Sequence, residues 1–533
     1  MLNVPSHDNV DNDYDNEEMA RYAAIDIGSN SVRMAVGEFS VKDGMKILAA
    51  DRQVTRLGAS VFSAGVISKQ AMTDVLAALE RFAAIYKPMQ VSATRAVATS
   101  AMRDARNSAQ FLVRAGKLLG VPVEVISGLE EARLIHNGVS ARWPTEERRL
   151  MIDIGGGSAE IIHSYQGKLV SAASKPLGAV RLTEMFLKHD PPLPEELERM
   201  EGFIDEKLRP VTRANHLRFD DAVGTSSTAG AVVCAIQNIG REQRDAADRA
   251  KVNTADIGAL YTKLSKLTLA KRRKTPGIGP RRAEIIIAGA AVLHRILRAF
   301  EVSAVQYSTA GVRDGILADL AERRAGAELT RLNAEQKRSI EELAKRFGVD
   351  VIHARQVAGI AHSLFTGLRP LHELPPSAGK LLEAAAYLLD TGHYISAMAH
   401  HKHSYYVVSN ADLAGFTNEE RQIIALLCRF HRKSIPETRH DFFVDQSDAV
   451  RELVWRLIPI LRLADGLEES HHQRVEHVDC VITNGKVVVS LVANANTNLE
   501  QWAGERSGAV FEHIYGRKLQ LEHLSADDAD KRR

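Results

Sequence analysis

The sequence predicts an α/β protein of two duplicated lobes, followed by an all-helical domain and a small α/β lobe at the C-terminus. Three observations carry this. From Arg21 to about Leu317, short apolar runs alternate with helical patterns, the mark of an α/β architecture. Within that stretch Ala23-Ala24-Ile25-Asp26-Ile27-Gly28-Ser29-Asn30-Ser31 returns as Leu150-Met151-Ile152-Asp153-Ile154-Gly155-Gly156-Gly157-Ser158. Beyond Leu317 the texture turns to nearly continuous helix, from Asn333 to about Glu469.

Residues 1–20 are acidic and poor in apolar side chains, which predicts a disordered tail. Each copy of the repeat then reads as a buried strand ending in Asp, a Gly/Ser turn and a second strand, over 32–39 and over 159–165. Both second strands run on into hairpins, turning at Asp43-Gly44 and at Gln166-Gly167, so whole lobes are duplicated, over 21–144 and 145–320. Between the copies, helices over 68–86 and 100–119 flank a strand over 91–99. A strand over 123–127 then feeds a helix from about Leu129. The helical domain is expected over 330–477. In the small lobe, 478–533, a hairpin turns at Asn484-Gly485, a helix starts near Asn498 and a strand covers 518–523.

A chain of 533 residues is too long for one core, and a prior of about 150 residues per domain gives three or four domains. With 45% hydrophobic and 26% charged residues it lies in the globular range, which excludes extended disorder away from the ends. Lys plus Arg (69) nearly cancels Asp plus Glu (67), so an anionic partner must be held by a local basic cluster rather than a global field. Cys234, Cys428 and Cys480 lie far apart without metal-ligand spacing; neither a disulfide framework nor a zinc site is indicated, and a cytoplasmic location is expected. No stretch approaches about 18 uninterrupted apolar residues and the N-terminus lacks signal-peptide character, so neither a membrane nor a specific nucleic-acid partner is expected.

A strand ending in Asp and running into Gly-Ser-Asn-Ser or Gly-Gly-Gly-Ser supplies what a phosphate site needs. Gly28, Gly155, Gly156 and Gly157 let the backbone approach closely, amides along the turn (Asn30 among them) converge on an oxyanion, and the hydroxyls of Ser29, Ser31 and Ser158 add donors. Asp26 and Asp153, at the strand ends, suit a hydrated Mg²⁺ or another divalent cation held against phosphate oxygens. One such loop reads equally well as a tight turn with an Asp cap; two matched copies favour the phosphate reading. A third stretch, Gly224-Thr225-Ser226-Ser227, alone resembles a helix N-cap and beside the other two reads as a third wall of one cleft. The run Lys271-Arg272-Arg273-Lys274 with Arg281-Arg282 suits either a path for a long polyanion or a solvated loop.

Six segments in order now resemble one family, the exopolyphosphatase / guanosine pentaphosphate phosphatases. They are Asp26 to Ser31, Ala98 to Asn107 (with Arg103), Ile126 to Arg133, Asp153 to Glu160, Gly224 to Ser227 and Ser308 to Leu317 (with Arg313). The resemblance implies duplicated actin-like lobes of the sugar-kinase/actin, ribonuclease H-like superfold, with a cleft between them. It implies that Glu131 activates the attacking water and that Glu160 joins the Mg²⁺ environment, with a solvated surface carboxylate as the alternative; Arg103 would pair with phosphate oxygens, although helix-surface arginines are common. A carboxylate on a helix's first turn at a cleft mouth suits that role, although Glu130 and Glu131 also complement the helix dipole. The expected function is exopolyphosphatase, releasing orthophosphate from the end of inorganic polyphosphate, with guanosine pentaphosphate phosphatase as the alternative. An actin-like-fold kinase and a non-catalytic polyphosphate or alarmone sensor are further readings.

The helical region resembles the HD-type phosphohydrolase domain appended to longer members, through His353, Leu389-Asp390, His393, His400-His401, His403 and Leu463-Ala464-Asp465. Such a site needs His-Asp where this chain has Leu389-Asp390, and leucine cannot ligate a metal, so loss of that site is expected; the histidines then bind polyanion or pack, packing being the safer reading. Literal His-Asp pairs at His7-Asp8, His189-Asp190 and His440-Asp441 lack the surrounding pattern. A homodimer through the C-terminal domains is what the resemblance to longer members implies.

Overall fold

Each copy of the repeat heads a sheet of the same strand order. The computed structural model describes residues 20–40, 44–214, 218–325, 329–493 and 495–524, and the chain divides into two compact units, Met1–Arg323 and Arg324–Arg533. In the first unit one sheet contains β1 (Ala20–Ile27), β2 (Ser31–Ser40), β3 (Gly44–Val54), β4 (Ala93–Ala98) and β5 (Val123–Val125), in the order β3-β2-β1-β4-β5. β1, β2 and β3 form an antiparallel meander, while β4 and β5 add in parallel. The second sheet contains β6 (Arg149–Ile154), β7 (Ala159–Tyr165), β8 (Lys168–Lys175), β9 (Asp221–Thr225), β10 (Lys251–Asn253) and β11 (Ala304–Tyr307). Its order, β10-β11-β9-β6-β7-β8, repeats the first with one extra antiparallel edge strand.

β1 and β6 are central and covered on both faces, which is why Ala-Ala-Ile-Asp-Ile and Leu-Met-Ile-Asp-Ile read as continuous apolar runs rather than alternating ones. The turn between β7 and β8 has Gln166 and Gly167 both at positive φ (50° and 69°), the hairpin geometry its sequence predicts. Asp43 and residues 1–19, His7-Asp8 among them, lie outside the described residues. The helix expected over 100–119 is two, Ser100–Asp104 and Ser108–Leu119. The break has a tertiary cause: the Asn107 side chain accepts from the Ile67 amide (2.8 Å) and donates to the Ile67 carbonyl (3.0 Å), satisfying that strand-like backbone.

The second unit is mainly helical. Its principal helices are Ala334–Arg346, Val351–Gly367, Ala378–Leu388, His400–Ser409, Asn418–Phe430 and Asp448–Gly466. Asn333 with Gln336, and Thr417 with Glu420, form capping boxes that fix where two of them start. β12 (His477–Ile482), β13 (Lys486–Val492) and β14 (Lys518–Leu524) then form a sheet in that order, β12 and β13 as the antiparallel hairpin the sequence predicts and β14 parallel to β13. A boundary near residue 478 suits the change in secondary structure, but apolar residues on both sides of it, such as Leu364, Ile460, Val487 and Phe511, belong to one core. Among the described residues no helix is long and apolar enough to cross a membrane.

Candidate active site

The two glycine loops turn in the same way. The amide of Gly28 donates to the Ser31 carbonyl (3.1 Å), and that of Gly155 to the Ser158 carbonyl (3.0 Å). The loops also abut: a Cβ added at Gly156 would stand 2.9 Å from Ser29 Cβ and 3.2 Å from the Asn30 nitrogen. Between them lies a cleft lined by Gly28, Ser29, Asn30 and Ser31 from one loop and Gly155, Gly156, Gly157 and Ser158 from the other, together with Asp26, Asp153 and Glu131. Its free volume is about 60 Å³.

Glu131 sits on the first turn of the Gly128–Arg142 helix, started by Ser127, whose hydroxyl accepts from the Glu130 amide (3.1 Å). The two consecutive glutamates face different surroundings. Glu130 points into a buried ion network: it accepts from Arg133 (2.7 and 2.9 Å) and Arg95 (3.2 Å), and both arginines also reach Asp319 (2.6 and 2.8 Å). Glu131 points to the cleft, its Oε2 held by both terminal nitrogens of Arg103 at 3.2 Å. Arg103 donates further to the Ile126 carbonyl (2.7 Å), so the guanidinium expected on phosphate oxygens is placed as a clamp on Glu131.

Four carboxylates collect here. Burial pushes Glu131 up to about 7, against the pull of Arg103 and with the help of Asp26 and Asp153. Burial pushes Asp153 up to about 6, with Asp26 adding and Arg33 opposing, and raises Asp26 as well. Glu160, fully buried, is raised well above the usual carboxylate range by burial and then by Glu131 and Asp153. It is no solvated surface group: Oε1 accepts from the Ser174 hydroxyl (2.8 Å), and hydrogen bonds from Ser174 and Ser158 oppose the rise. Asp26 and Asp153 line the cleft and are hard-oxygen donors that fit Mg²⁺, while Glu160, paired across the strands with Asp153, is not among the lining residues.

The third wall is only partly in the cleft. Ser226 and Ser227 line it, whereas the Gly224 carbonyl accepts from the Ser308 amide (3.0 Å) and the buried Thr225 hydroxyl donates to the Ala310 carbonyl. Ser226 holds φ at +70°, and its hydroxyl donates to the Ile154 carbonyl (3.0 Å), tying this wall to the strand that carries Asp153.

A profile of the Ppx/GppA phosphatase family matches residues 32–324, more than half of the chain, and a profile of Ppx/GppA phosphatase domain III matches residues 336–502. The chain belongs to the Ppx/GppA phosphatase family. Among solved structures it is similar to the Aquifex aeolicus Ppx/GppA family member, at 28% identity over 57% of this chain and 99% of that one, with a TM-score of 0.51. An exopolyphosphatase-like protein matches at 27% identity over 58% of this chain and 99% of its own, with a TM-score of 0.54. An exopolyphosphatase from Cytophaga hutchinsonii matches at 28% over 57% and 98%, with a TM-score of 0.52. As a member of the Ppx/GppA phosphatases the chain is a hydrolase of phosphoanhydride bonds.

Of the arginines of this Ppx/GppA cleft, the sequence offered Arg282, in the run read as a polyanion path or a solvated loop, but not Arg33. Arg33 lines it and donates to the Ser227 hydroxyl (2.8 Å), and Arg282 lines it beside Thr228. Crowding in the protein and repulsion among Arg33, Arg52 and Arg244 push Arg52 and Arg282 down to about 9, still charged at neutral pH. Guanidiniums packed against one another are relieved by an anion. The signal that finds Arg33 is the repeat itself. Arg33 pairs across the sheet with Asp26, and Glu160 pairs with Asp153, each two residues beyond its loop serine. The duplicated position carries a cation in one sheet and a carboxylate in the other.

Close approach at the loops leaves no room for side chains. A methyl at Gly157 would collide with Phe62 and with the Ser100 hydroxyl. Gly157→Ala is expected to destabilise the first unit by about 1–3 kcal/mol and to displace the second loop, read as a lower midpoint in urea unfolding together with slower orthophosphate release.

In the domain III region of this Ppx/GppA phosphatase, Leu389 is buried in the core, while Asp390, His353, His393, His400 and Asp465 line a second cavity of about 680 Å³. His431, which belongs to no motif read from the sequence, lines it too. Asp390, His400 and His431 bring one donor atom each to within 4.8 Å of one another, close enough to hold a metal ion. His189 of His189-Asp190 is instead paired with Glu196, and the ring of His440 accepts from the Glu437 amide (2.9 Å).

Proposed function

We propose that the chain is a Mg²⁺-dependent exopolyphosphatase that hydrolyses the terminal phosphoanhydride of inorganic polyphosphate, with Glu131 as general base. The observation that carries this is Glu131 itself, fixed through Oε2 by Arg103, poised near neutrality and lining one cleft with the two glycine loops. The repeated strand order supports actin-like lobes, over 21–144 and 145–320, as the two walls. On this reading the loops with Ser31 and Ser158 grip the terminal phosphate, and Arg33 and Arg282 balance its charge. Glu131 orients water in line with the phosphorus and takes its proton on Oε1. Asp26, Asp153 and Glu160 would hold Mg²⁺, which when bound neutralises charge on the phosphate oxygens. The crowd of Arg33, Arg52, Arg244 and Arg282 favours a linear polyanion over guanosine pentaphosphate, whose base needs a different surface.

Orthophosphate release from long polyphosphate, guanosine pentaphosphate and ATP, each with and without Mg²⁺, tests the proposal. Polyphosphate is expected to be the best substrate, chelation to abolish release and added Mg²⁺ to restore it. Faster release from guanosine pentaphosphate would select the alternative, and no release from any of the three would end the reading. The base must be deprotonated, so kcat/KM is expected to fall about tenfold per pH unit below about 7 and to level off above. Arg103 holds the Glu131 value down, so Arg103→Met is expected to move that limb to higher pH. A purely structural Arg103 would leave the limb in place.

A further inference from the structure

Asp390, His400 and His431 come from three elements of the second unit. Asp390 follows the Ala378–Leu388 helix, His400 opens the His400–Ser409 helix and His431 ends the Asn418–Phe430 helix. His400 Nε2 lies 3.1 Å from His431 Nε2 and 3.6 Å from Asp390 Oδ1. Ligand atoms about 2.1 Å from a shared ion stand roughly 3.0–3.4 Å apart at octahedral and tetrahedral angles, which these spacings approach. The outer contact sets the tautomer. His431 Nδ1 lies 2.7 Å from the Cys428 carbonyl, which can only accept, so Nδ1 carries the proton and Nε2 turns its lone pair toward His400 and Asp390. Both histidines are buried, at 3% exposure, so neither is a surface ring with freedom to turn away. Asp390 is a hub in its own right, with His393 Nε2 at 3.4 Å and His353 Nε2 at 3.8 Å.

We propose that the second unit binds a first-row transition-metal dication through Asp390, His400 and His431, with its remaining coordination positions open to the 680 Å³ cavity. Two imidazoles and one carboxylate select Zn²⁺, Fe²⁺ or Co²⁺ over Mg²⁺, unlike the all-oxygen set around Asp26 and Asp153. Arg432 Nη1, 3.3 Å from His400 Nδ1 and 3.4 Å from its Nε2, opposes the ion's charge, and Asp465 and Glu469 on the same wall offset it. The site bypasses Leu389 altogether and does not rest on how the cleft of the first unit is read.

Full-length protein stripped by chelator and titrated with Co²⁺ in excess Mg²⁺ provides the test, because the visible absorption of Co²⁺ reports imidazole ligation. The parent is expected to take up one equivalent with a ligand-field band. Asp390→Asn and His431→Gln are each expected to weaken that uptake about a hundredfold or more, with helix content followed by circular dichroism. Should His431→Gln lose helix content, the nearly isosteric Asp390→Asn decides alone. No band in the parent at one equivalent, or parental affinity in a folded variant, overturns the proposal.

Discussion

Glu131→Gln is expected to lower orthophosphate release by about 10²- to 10⁴-fold, the range for losing a positioned general base, while binding of polyphosphate persists. The glutamine keeps the size of the side chain and one oxygen for Arg103, so the cleft survives and only the capacity to take a proton is lost. Removal of one buried negative charge beside Asp26 and Asp153 also relieves their mutual repulsion. Polyphosphate affinity measured on the inactive variant should therefore equal or exceed that of the parent. A variant with near-parental turnover would transfer the base to another group. A variant that neither turns over nor binds would instead give Glu131 a structural role. The acid limb near pH 7 should vanish with the side chain, which links the mutational and pH results to one residue.

The second large effect belongs to stability. Asp319→Asn is expected to destabilise the protein by about 3–5 kcal/mol, because it breaks a buried ion network by removing one partner and leaving the others charged. Asp319 is 3% exposed and is shared by Arg133, Arg95 and Arg323 at 2.6 to 2.8 Å. Burial alone would raise its pKa; Arg133, Arg323 and Arg95 overcome this and hold it well below the usual carboxylate range. The folded state thus binds the proton less readily than the unfolded one. The contribution is present above the ordinary carboxylate value of 3.8 and is lost as pH falls below it toward the folded value. Urea unfolding at pH 7 should show the full difference between parent and variant, and at pH 3 a smaller one. Because the network also anchors Glu130, turnover in the variant should fall even under conditions where it remains folded, as the helix carrying Glu131 loses its fixed start.

Much of the first unit could be read from residue order alone. The repeated strand, turn and strand announced two sheets, and matched loops announced a shared cleft, because both signals are local and occur twice. The division of labour between Glu130 and Glu131 was not local. It depends on Arg95, which holds one carboxylate, and on Asp319, which accepts from Arg95 and Arg133 from far off in the chain, and it leaves the other carboxylate to the cleft. The partner of Arg103 was hidden for a related reason: a guanidinium is satisfied equally by a phosphate or by a carboxylate, and only the fold brings it to Glu131. The break between residues 104 and 108 was hidden because Asn107 is consistent with helix until Ile67 offers it a backbone. In the second unit Leu389 spoke against a metal, correctly for that position. The donors that converge on Asp390 arrive from separate helices, and His431 stands in no recognisable pattern.

The paired positions of Arg33 and Glu160 carry one more implication. Linear polyphosphate is the same molecule read from either end, so it brings no head or tail of its own. Two mirror halves that remained equivalent would receive such a thread indifferently, in either sense. With an arginine built into one half and a glutamate into the other at the matching place, the two halves are inequivalent where polyphosphate is not, and on the proposed function it is the protein that decides which end counts as the front.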